Sequence, residues 1–159
     1  MATELQPGDM APDVTLILPD GTTPKLADLR GAPVVVYFYP KDDTSGCTRE
    51  AKEFTAGKGE FDALGVPVIG VSKDSIARHV KFTAKYDLAV TLASDEEGIV
   101  CEAFGTWVQK SLYGRKYMGI DRATFLIDAE GRIARVWRKV KVPGHVDEVL
   151  AAAGALARA

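Results

Sequence analysis

One short run of residues constrains the fold of this chain more than any other feature. Six consecutive β-branched or aromatic residues extend from Val34 to Tyr39, and Pro40 ends the run. A continuous apolar run of this length is typical of a strand buried on both faces of a sheet that helices cover. The run therefore predicts an α/β fold with this strand in its interior.

Strands and helices alternate along the rest of the chain. Further strands are predicted at residues 67–72, 90–93, 124–128 and 132–137, and helices at 76–86, 96–104 and about 145–156. The last two strands are joined by the turn residues 129–131 and form a hairpin. This order favours one α/β domain over residues 1–159, with a mixed central sheet flanked by helices.

Three segments carry more specific expectations. Asp13–Leu18 has the composition of a strand and is followed by turn residues, so the chain is expected to open with an N-terminal β-hairpin. Residues 47–64 are helical in composition, but Gly57 and Gly59 weaken the middle, which predicts a kink or two helices. Residues 105–121 are aromatic and basic and are expected to form an irregular loop, of a length that usually serves a function.

Composition and charge exclude several classes of function. The 20 Lys and Arg against 22 Asp and Glu give a net charge of -2, which disfavours a nucleic-acid-binding surface. The longest apolar run, from Pro33 to Pro40, is far shorter than a membrane helix. The N-terminal residues lack the basic and apolar regions of a secretory signal, so the cytoplasm is the expected compartment.

Two cysteines, Cys47 and Cys101, are too few for a disulfide framework, and neither has a Cys-x-x-Cys partner. The helix that follows the central strand is predicted to start at or just before Cys47. There, unpaired backbone N–H groups and the helix dipole favour the thiolate. Thr44 can place a hydroxyl beside the sulfur. Pro40 can form one side of the pocket without adding a hydrogen-bond donor, because proline has no backbone N–H. Cys101 has apolar neighbours and is interpreted as a buried structural residue.

The spacing Pro40-x-x-x-Thr44-x-x-Cys47 resembles the active-site pattern of the peroxiredoxins. Residues 39–50, Tyr-Pro-Lys-Asp-Asp-Thr-Ser-Gly-Cys-Thr-Arg-Glu, are similar to the peroxiredoxin Q or bacterioferritin comigratory protein subfamily. Further matches extend over residues 5–155 and include Arg122 with the segment Thr124–Asp128 that follows it. Without that context, Arg122 would be an ordinary surface or ion-pair arginine.

The resemblance implies a thioredoxin-like fold and a thiol peroxidase for hydrogen peroxide and organic hydroperoxides, with a sulfenic acid intermediate and no cofactor or metal. The catalytic positions implied are Pro40, Thr44, Cys47 and Arg122. During the reaction negative charge moves from sulfur to oxygen. Arg122 and Thr44 can stabilise that charge by donating hydrogen bonds to the sulfur and to the peroxide oxygens. Glu50, one turn along the helix, is a supporting candidate that could orient the arginine.

The chain departs from the family in its second cysteine. Some members have a resolving cysteine five residues after the first, where this chain has Lys52, and others have it on the next helix, near residues 82–84. The resemblance therefore leaves the resolving step open, and we expect an external thiol to regenerate Cys47: thioredoxin, glutaredoxin or a low-molecular-weight thiol. Resolution by Cys101 after a large rearrangement is the alternative. A monomer is expected, with a weak dimer as the other state.

Two other classes of protein fit the sequence less well than a peroxidase. A thioredoxin-type disulfide reductase would need Cys-x-x-Cys, but Thr44 stands three residues before Cys47, and the proline expected before the strand at Phe125 is missing. A non-catalytic thioredoxin-fold module would have no need for the catalytic residues together. His79 and His145 have no metal-ligand spacing and are interpreted as structural or solvated.

Overall fold

The computed structural model describes residues 4–158, and in that range the chain forms seven strands and five α-helices. The strands are β1 Val34–Phe38, β2 Val68–Ser72, β3 Thr91–Ser94, β4 Trp107–Leu112, β5 Arg115–Ile120, β6 Ala123–Ile127 and β7 Ile133–Trp137. The helices are α1 Ser45–Ala56, α2 Lys58–Ala63, α3 Ile76–Tyr86, α4 Ile99–Ala103 and α5 His145–Ala157. None of these helices combines the length and apolarity needed to traverse a bilayer.

The central sheet is mixed and has the order β3-β2-β1-β6-β7. β1 lies in the middle, parallel to β2 and antiparallel to β6. All five of its residues are buried, as the apolar run predicts. The mixed sheet flanked by helices confirms the expected fold class.

Side chains of β1 alternate between two apolar clusters, one on each face of the sheet. Val34, Val36 and Phe38 join the cluster that contains Val100 and Phe104 near α4, which we call the α4 face. Val35, Tyr37 and Tyr39 join the cluster built with residues of α1, α3 and α5, which we call the α1 face. This alternation follows from the period of two in a strand.

The predicted break in the first long helix is confirmed. α1 ends at Ala56 and α2 begins at Lys58, with Gly57 between them. The backbone N–H of Gly57 still bonds to the carbonyl of Glu53, so the two helices follow each other directly. Glycine weakens a helix interior because it loses more backbone entropy than any other residue.

The prediction of an irregular loop at residues 105–121 is wrong. Most of that segment forms an antiparallel hairpin of β4 and β5, in which Trp107 pairs with Ile120 and Leu112 with Arg115. Its two turn residues, Tyr113 and Gly114, both have positive φ, at 52° and 77°, as the favoured two-residue hairpin turns require. Much of the hairpin is exposed, so its side chains lack the apolar alternation that identifies a strand.

The expected N-terminal β-hairpin is present in an irregular form. Backbone N–H groups of Leu16 and Leu18 donate to the carbonyls of Pro24 and Thr22, but the pairing is limited to isolated bridges. Pro24 has no N–H and cannot return a hydrogen bond to Leu16, which prevents a regular ladder. Ile17 bridges to Ser94, and this attaches the segment to the edge strand β3.

Candidate active site

Cys47 lies where the central strand gives way to a helix. β1 ends at Phe38, residues 40–44 form a loop that we call the active-site loop, and Cys47 is the third residue of α1. Backbone N–H groups in the first turn of a helix have no partner within the helix. The structure therefore provides the helix N-terminus that the sequence predicts for this thiol. The cysteine is only 1% exposed.

Arg122 reaches this thiol from the neighbouring strand. The register of the antiparallel pair places Phe38 opposite Ala123, so Arg122 stands beside the end of β1 from which the active-site loop departs. Its Nη2 donates to Sγ of Cys47 at 3.4 Å, and its Nη1 donates to Oε1 of Glu50 at 2.7 Å. One guanidinium thus bridges the cysteine and the glutamate.

Glu50 is the buried carboxyl of this group. Its side chain is fully buried, and Oε2 has no hydrogen-bond partner among the described residues. Burial raises the pKa of Glu50 from 4.5 to about 7, although the charge and hydrogen bond of Arg122 act in the opposite direction. Burial alone would lower the pKa of Arg122, but the negative charges of Glu50 and Cys47 outweigh it and raise that pKa.

Thr44 and Pro40 are exposed residues at the two ends of the active-site loop. Thr44 is the residue before α1, and its hydroxyl donates to the carbonyl of Lys41 at 2.8 Å instead of bonding to the sulfur. Pro40 is exposed and lines a cleft of about 450 Å³ between the active-site loop and the β4–β5 hairpin. The cleft wall includes Trp107, Tyr117 and Met118 together with three lysines and Asp74, whereas Cys47, Thr44 and Arg122 do not line it.

A glycine allows the arginine to approach. A Cβ on Gly46 would lie 3.1 Å from Nη2 of Arg122, closer than nine in ten real contacts of a Cβ. Sequence reasoning missed this role, and the only available signal was a glycine in the first turn of a helix, where glycine is unfavourable.

Cys101 lies away from this group. It belongs to the cluster on the α4 face, while Cys47 belongs to the cluster on the α1 face. Burial, together with the hydrogen bond and negative charge of Asp95, raises the pKa of the Cys101 thiol far above its ordinary value. A neutral, buried thiol is a poor nucleophile.

A second polar group that sequence reasoning missed lies beneath the active-site loop. Asp42, Tyr39 and His79 are all buried and bonded to one another. The sequence predicts a structural or solvated His79, and the structure places it in the interior. The spacing of the histidine gave no signal of this contact, because its partner is 37 residues away.

A thiol at a helix N-terminus with a guanidinium on its sulfur is equipped for nucleophilic attack. Among residues 4–158, no group of three or more His, Cys, Asp and Glu is arranged to hold a metal ion.

Comparison with known proteins assigns the chain to a family. The AhpC/TSA family matches residues 7–136. The chain belongs to the AhpC/TSA family. Among the relatives in that family, peroxiredoxin Bcp of Bacillus subtilis is 49% identical over 143 residues, which cover 90% of this chain and 91% of that protein. Peroxiredoxin Bcp of Escherichia coli is 44% identical over 146 residues, 92% of this chain and 94% of that protein.

Solved structures of AhpC/TSA relatives agree with this assignment. Peroxiredoxin Q of Xanthomonas campestris superposes with a TM-score of 0.88 and 44% identity, over 98% of both chains. PrxQ of Xylella fastidiosa superposes with a TM-score of 0.90 and 38% identity, over 97% of this chain and 98% of that one. The resemblance to peroxiredoxin Q and the thioredoxin-like fold that it implies are both confirmed.

Proposed function

We propose that Cys47 is the nucleophile of a thiol-dependent peroxidase that reduces hydrogen peroxide and organic hydroperoxides. The peroxidase class agrees with the AhpC/TSA relatives, and one similar structure is of an X. campestris bacterioferritin comigratory protein described with alkyl peroxide reduction activity. The observation that carries the assignment to Cys47 is its 3.4 Å contact with Arg122 at the start of α1.

The reaction begins with attack of the Cys47 thiolate on one oxygen of the hydroperoxide. An S–O bond forms, the O–O bond breaks, and the electron pair leaves with the second oxygen as an alkoxide or hydroxide. That anion takes up a proton and departs as an alcohol or water, while the sulfur is oxidised to sulfenic acid. Negative charge therefore moves from sulfur to the leaving oxygen.

The residues around the thiol can stabilise the negative charge as it moves from sulfur to oxygen. Arg122 already donates to the sulfur, and a second N–H of the same guanidinium can turn to the peroxide oxygens. Thr44 can supply its hydroxyl to the attacked oxygen, once that hydroxyl exchanges its bond to Lys41 for one to the substrate. Glu50 fixes the direction of the guanidinium through its 2.7 Å contact, and the role proposed for Pro40 is to shield the reacting atoms from solvent.

The cleft beside Pro40 suits the organic part of a hydroperoxide. Its volume of about 450 Å³ falls in the range of ligand pockets, which are about 300–1,000 Å³. Aromatic and apolar side chains on its wall can pack against an alkyl group that extends away from the peroxide oxygens.

An external thiol returns the sulfenic acid to the thiol. The first thiol condenses with it to a mixed disulfide and releases water, and a second thiol reduces that disulfide to free Cys47. The position of Cys101 on the opposite face of the sheet supports this route over resolution by Cys101. Thioredoxin, glutaredoxin or a low-molecular-weight thiol are the proposed reductants, acting on a monomer in the cytoplasm, where free thiols persist.

The test is a thiol count after a single addition of peroxide. Reduced protein is mixed with one equivalent of hydrogen peroxide, and the remaining thiols and peroxide are measured. The wild type should consume the peroxide and lose the Cys47 thiol, whereas Cys47→Ser should leave the peroxide untouched. Peroxide consumption by folded Cys47→Ser at the wild-type rate would refute the assignment.

A further inference from the structure

A buried hydrogen bond between two side chains links the active-site loop to α3. Nδ1 of His79, in the first turns of α3, lies 2.7 Å from Oδ2 of Asp42, in the loop. The other oxygen of that carboxylate accepts from the hydroxyl of Tyr39 at 2.6 Å. The side chains of the pair are 0% and 2% exposed, so solvent takes no part in these bonds.

Both nitrogens of His79 have a hydrogen-bond partner. Nε2 lies 3.0 Å from the carbonyl oxygen of Ala93 in β3, and a carbonyl can only accept, so Nε2 donates. Nδ1 bonds to the carboxyl group of Asp42, and the hydroxyl of Tyr39 lies 3.4 Å from the same nitrogen. The ring and the carboxyl group therefore satisfy each other in the interior, where an unpaired polar group is costly.

The same aspartate is also held by its backbone. The N–H of Asp42 donates to Oδ2 of Asp74 at 2.8 Å, and Oδ1 of Asp74 accepts from Arg78 at 2.9 Å. Asp42 is therefore fixed both through its side chain and through its main chain. In contrast, Pro40 and Thr44 on either side of it are exposed.

Thr44 depends on this fixed point. Its hydroxyl is bonded to the carbonyl of Lys41, the residue immediately before Asp42. Asp42 is also only two residues from Thr44, so a shift of Asp42 would displace the backbone that carries the threonine side chain and leads into α1. Asp42 is the buried residue of the loop, and the exposed Asp43 beside it accepts further bonds from Lys85 at 2.7 Å and Tyr86 at 2.6 Å in α3.

We propose that His79 is a positioning residue of the peroxidase: through Asp42 it holds the active-site loop so that Thr44 meets the peroxide at Cys47. This proposal rests on the proposed function. His79 itself touches neither the sulfur nor the substrate, so its effect is exerted entirely through the loop.

Two substitutions separate the two hydrogen bonds of the ring. The amide nitrogen of asparagine can occupy the place of Nδ1, and that of glutamine can occupy the place of Nε2. His79→Asn therefore keeps a donor for Asp42, whereas His79→Gln keeps only the donor for Ala93. The measurement is the second-order rate constant for oxidation of reduced Cys47 by hydrogen peroxide, in rapid-quench samples analysed by intact mass.

His79→Gln should reduce that rate constant by about tenfold to a hundredfold, the cost of a small misplacement of a reacting group. His79→Asn should keep most of it. A role in folding alone would not rank the two variants by the bond to Asp42. Equal rate constants for folded His79→Gln and wild type would overturn the proposal.

Thr44→Val tests whether the loop carries the effect. In the wild type this substitution should slow oxidation, but in His79→Gln it should add little, because the threonine is already misplaced. If the two reductions in rate constant were fully additive, His79 would act by a route that does not involve Thr44.

His145→Asn is the matched control. His145 is another buried histidine, and its Nε2 bonds to Thr124 outside the loop. His145→Asn should lose stability without a change in the rate constant for oxidation of Cys47.

If His79→Gln does not fold, folded Asp42→Asn takes its place and should be oxidised slowly. A wild-type rate constant in Asp42→Asn would overturn the proposal. Activity retained by Cys47→Ser would instead refute the proposed function.

Discussion

Cys47 and Cys101 pack on opposite faces of the central sheet. Cys47 belongs to the cluster with Tyr37 and Phe54, and Cys101 to the cluster with Phe38 and Phe104. A disulfide requires Cα atoms about 4.4–6.8 Å apart, and a layer of buried strands separates these two residues. A bond between them within one chain would require the sheet or its helices to come apart.

Oxidised Cys47 should have no neighbouring thiol with which to form a disulfide. Without added thiol, one equivalent of peroxide should produce sulfenic acid at Cys47, and excess peroxide should convert it to sulfinic and sulfonic acids. Lys52 occupies the position of one family resolving cysteine, so no thiol lies one turn away to trap the sulfenate. Intact mass should show the addition of oxygen atoms, and a small thiol should reverse only the first addition.

The control for this outcome is Cys101→Ala. It should show the same oxygen additions and the same initial rate, because only Cys47 reacts. A rapid disulfide between Cys47 and Cys101 in the wild type, detected by peptide mapping, would contradict the prediction and make Cys101 the resolving residue.

Arg122→Lys should slow peroxide reduction even though it preserves the positive charge. A single ammonium cannot reproduce two guanidinium nitrogens that bond to Glu50 and Cys47 at once. Loss of one such donor typically costs on the order of 100-fold in rate. Stopped-flow measurement of the second-order rate constant checks this, and a wild-type value in a folded variant would remove Arg122 from the mechanism.

Gly46→Ala should displace Arg122 and slow the same step. The new methyl would lie 3.1 Å from Nη2 and 3.7 Å from Cζ of the arginine, so the guanidinium has to move away from the sulfur. Gly59→Ala in α2 is the matched control, because no atom lies within 4 Å of its Cβ position. The control should keep the rate and gain about 0.5–1 kcal/mol in stability. Equal rates for both variants would contradict the prediction.

The buried carboxyl of Glu50 should make stability depend on pH. Its pKa is raised from 4.5 to about 7 by burial, so between those values the folded state binds more protons than the unfolded chain. Stability from this group is complete below pH 4.5 and is lost as pH rises through 7, by about 3 kcal/mol at most.

Glu50→Gln cannot titrate and should lose less stability over that range than the wild type. Urea denaturation between pH 4.5 and 8 measures the difference between the two free energies of unfolding. Parallel curves for the two proteins would show that the carboxyl does not titrate in this range.

The extent to which the site follows from sequence differs between its residues. Pro40, Thr44 and Cys47 lie within eight residues, so their proximity depends only on a strand, a loop and a helix that local patterns predict. Arg122 could be chosen only by its resemblance to the family pattern, and the β1–β6 register then brings it to Cys47. Gly46, Asp42 and His79 had no such signal, because their roles depend on contacts between distant segments.

By itself, the sequence determined the elements whose side chains follow a regular burial pattern. The run Val34–Tyr39 required a central strand, and Gly57 required a break in the helix, because local chain entropy and burial act over a few residues. Tertiary structure decided which buried polar groups meet, including Arg122 with Glu50 and His79 with Asp42. It also decided that Cys47 and Cys101 are kept apart, since strand order and register are set by the packing of the whole sheet.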